Sequence, residues 1–345
     1  MRRLLPILCV LWSGLAVAAG PYYLDLDNGT DAHAGTKEGN YTAEASTDNT
    51  NTYVTKDVLV GDGNADDTYN GDYIYNVTRS LGALITDFDY DDGAGHSILV
   101  HGAIVGNVDT DTFYILRSWL TLSKAATTLA AGEICYVRAN TSEVIGASVS
   151  FTNDGTPSAP ISIVGCDATT NDPWDDDSDV LPLIDFNGGA YRLSIIVDDW
   201  WFLTRLHLFN SHSTSGSIYV DQSGGLKVSS CKIEDSYYFG IFAQNGGVVA
   251  CIDCTFLNSG EGGSGYGSLW IGAGYFYAFN CTFDPFGADR RIQTGGSSGG
   301  YIVLEQCTLS GAYSGIYPGG QVPVILRNTI FSGVTFPVLT EANKT

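Results

Sequence analysis

The sequence predicts an all-β solenoid: a rod of stacked coils, each built from three short strands. Three observations carry that expectation. Composition is β-like, with 42 Gly, 20 Tyr, a single Met and few helix-forming runs. The C-terminal half falls into one register, in the segments WFLTRLHL (from Trp201), LKVSSCKI (from Leu226), VACIDCTF (from Val249), FYAFNCTF (from Phe276), IVLEQCTL (from Ile302) and PVILRNTI (from Pro323). Their sixth positions are Leu206, Cys231, Cys254, Cys281, Cys307 and Asn328, separated by 25, 23, 27, 26 and 21 residues. A period of that size with Gly-rich turns marks a solenoid, in which each repeat buries its apolar face only against its neighbours.

Within each segment the apolar columns alternate, slip by one residue between positions three and six, and then resume. That pattern places two short strands on either side of a tight bend, both turned toward a common interior. A third strand precedes each pair: SIYV, GIFA, SLWI, RIQT and GIYP. ISIVGCDA extends the register upstream, with Ile161, Ile163 and Cys166 in the same three columns. The expected third-strand inward residues are Ile218 and Val220, Ile241 and Ala243, Leu269 and Ile271, and Ile316.

The chain opens MRRLLPILCVLWSGLAVAAG. Arg2 and Arg3 precede an apolar run from Leu4 to Leu15, and Ala16-Val17-Ala18 supplies small residues for cleavage. This is the layout of a secretory signal peptide, so a secreted, periplasmic or cell-surface location is expected. No later segment has the roughly 18 uninterrupted apolar residues of a membrane span, so no membrane insertion is expected. The formal charge is −22, from 38 acidic and 16 basic residues. Such a surface repels nucleic acid and anionic membrane.

This pattern resembles the pectate-lyase-like family of right-handed parallel β-helices, over about Ala130 to Gly333. YYLDLDNGTDAHAGT (Tyr22 to Thr36) and TLSKAATTLAAGEICYVRA (Thr121 to Ala139) are similar to the opening segments of secreted β-helix proteins, where strand, capping helix and first coil follow closely. Here about 80 residues of alternating strand and turn signals separate the two pieces. The chain is thus expected to comprise a signal peptide (1–19), an N-terminal opening strand (20–36), an inserted small β subdomain covering the open N-terminal end (37–117) and the parallel β-helix (118–345).

Cys251 and Cys254 form a Cys-x-x-Cys, which in other settings signals redox or metal chemistry. Here the spacing follows from the bend, because Cys254 belongs to a vertical row with Cys231, Cys281 and Cys307, and Cys251 belongs to another inward column. Coils stack about 4.8 Å apart. A structural ladder of inert buried thiols is the first reading. Disulfides between coils compete, because the expected compartment is oxidising, although parallel Cβ vectors fit the required torsion poorly. Zinc lacks a histidine in the row.

The outward residues of the third strands are Tyr219, Phe242, Trp270, Gln293 and Tyr317, with Ser194 preceding them. An exposed aromatic stripe suits sugar rings, and the family resemblance implies that this sheet lines a polysaccharide cleft. Cross-strand stacking that stabilises the sheet, or contact with a protein partner or a second protomer, are the alternatives. Hydrolysis of a glycosidic bond needs two carboxyl groups across a cleft. Polygalacturonase-like members carry Asn-x-Asp, Asp-Asp, Gly-His-Gly and Arg-x-Lys. Here only Asp198-Asp199 matches, the run Arg290 to Gln293 lacks the final Lys, and no histidine sits in Gly-His-Gly. Lyase members use carboxylates that hold Ca²⁺ and a basic residue; Asp221, Glu234, Asp235 and Glu261 are expected to flank the aromatic sheet, with Arg290 available. Asp221, Asp235 and Arg290 are therefore the residues available for chemistry, with a lyase ahead of a hydrolase.

No organic cofactor is indicated. Closely spaced oxygens suit Ca²⁺ in three loops: Asp25, Asp27 and Asp31; Asp62, Asn64 and Asp66; and Asp175, Asp177 and Asp179. The function expected is non-catalytic binding of a polysaccharide or particle surface, in the manner of an adhesin or tailspike. A lyase or hydrolase on the same face is the alternative, and a structural solenoid of a filament or coat, open at its C-terminal end to self-association, the second.

Overall fold

The computed structural model describes residues 22–24, 37–42, 53–56, 69, 73–76, 78, 81–89, 97–101, 111–116, 119–166, 180–196, 200–221, 224–260, 266–272, 274–284, 290–295, 300–311, 314–317 and 322–338. Among them, three parallel sheets of nine, eight and eight strands run the length of a β-solenoid. The first sheet runs from Tyr22–Leu24 through Trp200–Thr204, Gly225–Ser229 and Val248–Ile252 to Val324–Arg327. The second contains the short strands after each bend, among them His207–Phe209, Lys232–Glu234 and Thr255–Leu257. The third contains Leu193–Ile196, Ile218–Asp221, Phe239–Ala243, Gly267–Ile271, Arg290–Thr294 and Ser314–Tyr317.

The interior is built from the columns read in the sequence. Trp201, Leu226, Val249, Phe276 and Ile302 stack in register, as do Leu208, Ile233, Phe256, Phe283 and Leu309, and all are buried. Ile218, Ile241, Leu269, Ile292 and Ile316 complete the third wall.

Two corners flank the second sheet, and each is turned by a residue with positive φ. Arg205, Ser230, Asp253, Asn280, Gln306 and Asn328 turn the first (φ 48° to 57°). Asn187, Asn210, Asp235, Asn258, Gly311 and Gly333 turn the second. Asn, Asp and Gly adopt this left-handed conformation at little cost, because a short polar side chain can bond locally or no Cβ is present.

The last coil departs from the sequence register by one residue. Ile302 pairs with Val324, not Pro323, and Thr308 pairs with Ile330. Asn328 is therefore the left-handed corner residue, and Thr329 follows Cys307 in the inward row. Thr329 Oγ1 donates to Leu304 O and Arg327 O, both at 3.2 Å. Cys307 Sγ bonds Ala278 O and Glu305 O in the same way, at 3.6 and 3.4 Å. Ile330, expected inside, faces solvent at 61% exposure, and Phe331 takes the inward place. A one-residue shift in a strand exchanges its two faces, which is what has happened here.

Cys135, Cys166, Cys231, Cys251, Cys254, Cys281 and Cys307 are all buried free thiols. Cys254 shares hydrogen bonds with Cys251 and Cys281, and Cys281 with Cys307. Burial pushes the thiols of Cys231, Cys251 and Cys281 above the usual range, which disfavours thiolate. Cys166 stands apart from this row. It packs with Tyr23, Tyr75 and Tyr136 in a separate apolar cluster. The bend that puts later sixth positions inside is missing there, because Gly165 still pairs with Val137 in the first sheet.

Residues between Lys37 and Leu116 form a six-stranded antiparallel sheet. Its Tyr75 meets the cluster of Tyr23, Tyr136 and Cys166 beside the first coils. The first coil is covered by the helix Leu122–Thr128, which buries Leu122, Ala125 and Ala126 in the solenoid core. Thr121 caps that helix, its hydroxyl accepting from Lys124 N at 3.2 Å.

Candidate functional site

Ser194, Tyr219, Phe242, Trp270, Gln293 and Tyr317 do form one vertical row on the outer face of the third sheet. Tyr219 and Phe242 are stacked at 5.9 Å, with 25° between ring planes. Phe242 and Trp270 are stacked at 4.1 Å and 9°. The Trp270 indole rests on a floor that only glycine leaves open. A Cβ on Gly272 would come within 2.4 Å of Trp270 Cη2, and one on Gly295 within 3.1 Å of Cζ2.

The row is less exposed than expected. Tyr219, Phe242, Trp270 and Gln293 are half-buried, and Tyr317 retains only 6% exposure although it stands in register with Gln293. Ser194 is buried because Arg192 reaches back across it, Nε donating to Ser194 Oγ at 3.0 Å. The same guanidinium lies 4.3 Å from the Tyr219 ring centroid, a cation–π contact.

A polar border runs along the edge where the third-sheet strands end. Tyr219 Oη donates to Asp221 Oδ2 at 3.1 Å and accepts from Gln244 Nε2. Asn245 Nδ2 donates to Asp221 Oδ1 at 2.6 Å. Burial, reinforced by the Asp221 carboxylate, raises the Tyr219 phenol above its usual range, so it stays a neutral donor.

The residues considered for chemistry do not converge. Asp221 ends its strand, whereas Asp235 is the left-handed corner residue ahead of the strand Phe239–Ala243. The two therefore lie at opposite borders of the third sheet, a strand length or roughly 15 Å apart. Arg290 begins Arg290–Thr294, two strands beyond Phe239–Ala243 in the sheet order. Glu234 belongs to the neighbouring sheet, not to the aromatic one. Its Oε2 meets His207 Nε2 at 2.8 Å and Lys232 Nζ at 2.5 Å. Among the described residues no group of three or more His, Cys, Asp or Glu is placed to hold a metal ion. Asp198, Asp199, Glu261 and all nine candidate Ca²⁺ ligands lie outside the described residues. No helix among them is long and apolar enough to cross a membrane.

The sequence reading missed a second aromatic group, at the corner that leads into the third sheet. Tyr237 and Tyr238 meet edge to face at 4.9 Å and 80°, and Tyr238 and Tyr266 at 4.6 Å and 88°. Tyr266 also meets Phe239 edge-on at 5.6 Å, and Phe239 touches Phe242 at 5.6 Å, which joins the corner to the row. His212 lies over Tyr237 at 4.9 Å. Buried serines pin these loops. Ser217 and Ser236 share a 2.6 Å hydrogen bond, Ser211 Oγ donates to Tyr191 O, and Tyr237 N donates to Ser211 O at 2.8 Å. No period in the sequence announces such a group, since its members come from three loops of different length. The outer face of the first sheet is aromatic too, with Tyr275 and Tyr301 edge-on at 4.8 Å and Lys227 over Phe202 at 5.2 Å.

No family model and no curated protein matches the chain. Among solved structures it is similar to the catalytic domain of a GH87 alpha-1,3-glucanase in complex with tetrasaccharides, at 10% identity over 92% of each chain and a TM-score of 0.27. A likeness at that level assigns no activity.

Proposed function

We propose that the chain is an exported β-solenoid that binds a polysaccharide, or a surface that displays one, along the outer face of its third sheet, without chemistry of its own. The observation that carries this reading is the half-buried row Tyr219–Phe242–Trp270, bordered by Arg192, Asp221, Gln244 and Asn245. Aromatic surface beside amide, carboxylate and guanidinium groups is the mixture that holds a sugar, whose C–H faces are apolar and whose rim is hydroxyl. Export rests on the Arg2-Arg3 start and the apolar run that follows it. The wide separation of Asp221 and Asp235 favours binding over turnover, because acid and base must act on the same bond.

Purified protein incubated with neutral and acidic polysaccharides, with and without Ca²⁺, tests the reading. Co-sedimentation with a polymer and no new reducing ends is the expected result. Release of reducing ends or of unsaturated sugars would replace binding by catalysis.

A further inference from the structure

We infer that the tyrosine corner formed by Tyr237, Tyr238 and Tyr266, beside Phe242 and Trp270, is the sugar-stacking platform of the protein, taking the flat face of a neutral pyranose of the bound chain. This inference rests on the glycan-binding reading and specifies which rings the sugar meets.

The row on the sheet offers little ring face. Phe242 is stacked on one side by Tyr219 and on the other by Trp270. Coils repeat about every 4.8 Å, too close for a sugar to enter between successive rings. Such a ladder turns its ring edges outward.

The corner is arranged differently. In an edge-to-face pair one ring offers its rim and the other a face, so each contact uses a single face. Three such contacts link Tyr237, Tyr238, Tyr266 and Phe239, and His212 covers part of Tyr237. Among the described residues these four ring contacts occupy at most four of the six tyrosine faces. All three tyrosines are half-buried, as are Tyr219, Phe242 and Trp270. Among the described residues none of their phenol oxygens has a hydrogen-bond partner, so each can donate to or accept from a sugar hydroxyl.

Position and rigidity support the same assignment. Phe239 joins the corner to Phe242, so a chain lying on the row reaches the tyrosines without leaving protein surface. The backbone beneath is fixed by the Ser217–Ser236 bond, by Tyr237 N to Ser211 O, and by Gly260 N to Ser236 O at 2.7 Å. Rigid tyrosines lose little conformational freedom on binding. Charge selects a neutral sugar. The chain carries −22 overall, and the Arg192 guanidinium on the same border is already engaged by Ser194 and the Tyr219 ring.

The test uses the full chain and neutral gluco-, manno- and xylo-oligosaccharides of increasing length, titrated calorimetrically into wild type, Tyr238→Ala, Tyr266→Ala, Tyr238→Phe and Trp270→Ala. Tyr238→Ala and Tyr266→Ala are expected to weaken the longer ligands about tenfold, the value of one ring–sugar contact. The shortest ligands should bind only at the corner and should be lost first. Tyr238→Phe keeps the face and should keep most of the affinity. Should a corner variant fold poorly, tyrosine nitration of wild type replaces it: bound oligosaccharide should shield Tyr238 and Tyr266. Binding that Trp270→Ala abolishes, while both corner variants and the nitration pattern stay unchanged, overturns this inference and leaves the broader reading standing. Absence of binding to every oligosaccharide and polysaccharide overturns both.

Discussion

Phe242 and Trp270 lie face to face across adjacent coils, ring centroids 4.1 Å apart and planes 9° from parallel. The contact arises because the strands pair in register, Phe242 opposite Trp270, so equivalent side chains stack at the strand spacing. It also explains why the row is only half exposed. Rings that stabilise one another along the axis cover each other's faces and turn their edges outward.

Gly272→Ala is expected to disturb Trp270 without removing it. The backbone at Gly272 is not left-handed, so alanine is conformationally acceptable. Its Cβ, however, would stand 2.4 Å from Cη2 of the indole, so the ring must shift. Stability should fall by about 1 kcal/mol, within the range for crowded sites. Tryptophan emission should change, and polysaccharide co-sedimentation should weaken in step. Unchanged emission and binding would show that the indole does not rest on this glycine.

The thiols are expected to be silent in the folded protein. Burial raises Cys251 and Cys281; hydrogen bonds from neighbouring thiols draw Cys254 and Cys307 the other way, but all seven are buried out of reach of a reagent in the folded protein. A thiol reagent at neutral pH should modify none of the seven described cysteines until denaturant is added. Mass analysis after non-reducing alkylation should then find them all as thiols, whereas coil-to-coil disulfides would leave pairs unmodified. Cys254→Ala, which deletes a buried group contacting two neighbouring thiols, should cost roughly 1–2 kcal/mol.

Two adjacent residues of the last coil are expected to respond in opposite ways. Thr329→Val removes a hydroxyl that donates to two carbonyls and should destabilise by about 0.5–1 kcal/mol. Ile330→Lys should be neutral, since that side chain is 61% exposed. Thermal melts of the two variants decide the register. A neutral Thr329→Val with a damaging Ile330→Lys would restore the alignment read from the sequence.

Acid is expected to loosen the second sheet. Burial and the neighbouring Lys232 lower the His207 pKa, against the opposing pull of Glu234. Its contribution to stability is therefore complete above the unfolded value near 6.5 and is lost as pH falls through the lower folded value. Burial alone would raise Glu234, but Lys232 and His207 outweigh it and hold the carboxyl below 4.5, so its contribution too is lost on further acidification. His207→Gln should flatten the dependence of melting temperature on pH just below 6.5. An unaltered slope there would place the acid sensitivity elsewhere.

How much of this was legible in the chain follows from what makes a pattern periodic. Inward columns repeat because every coil must fill the same interior, so Ile218, Ile241 and Leu269, or Cys231, Cys254 and Cys281, announce themselves. The first corner is obscured, because Arg205, Ser230 and Gln306 adopt left-handed conformations that their residue types do not advertise. Asn328 does suit that conformation, and reading it as a core residue displaced the final coil by one. The outward row was located by alternation alone. Its stacking, the covering of Tyr317 and Ser194, and the glycine floor under Trp270 depend on side-chain directions that alternation does not contain. The tyrosine corner was invisible because its members sit on loops of unequal length.

The central claim is that the third sheet holds a glycan, and one titration tests it most directly. Neutral polysaccharide fragments would be titrated into wild type and Trp270→Ala at neutral pH, with the folding of both checked by far-UV circular dichroism. Saturable binding of the longer fragments to wild type, weakened severalfold in a variant that remains folded, is the expected result. Equal affinity of the two proteins would contradict the assignment of this face, and a wild type that binds no glycan would contradict the function itself.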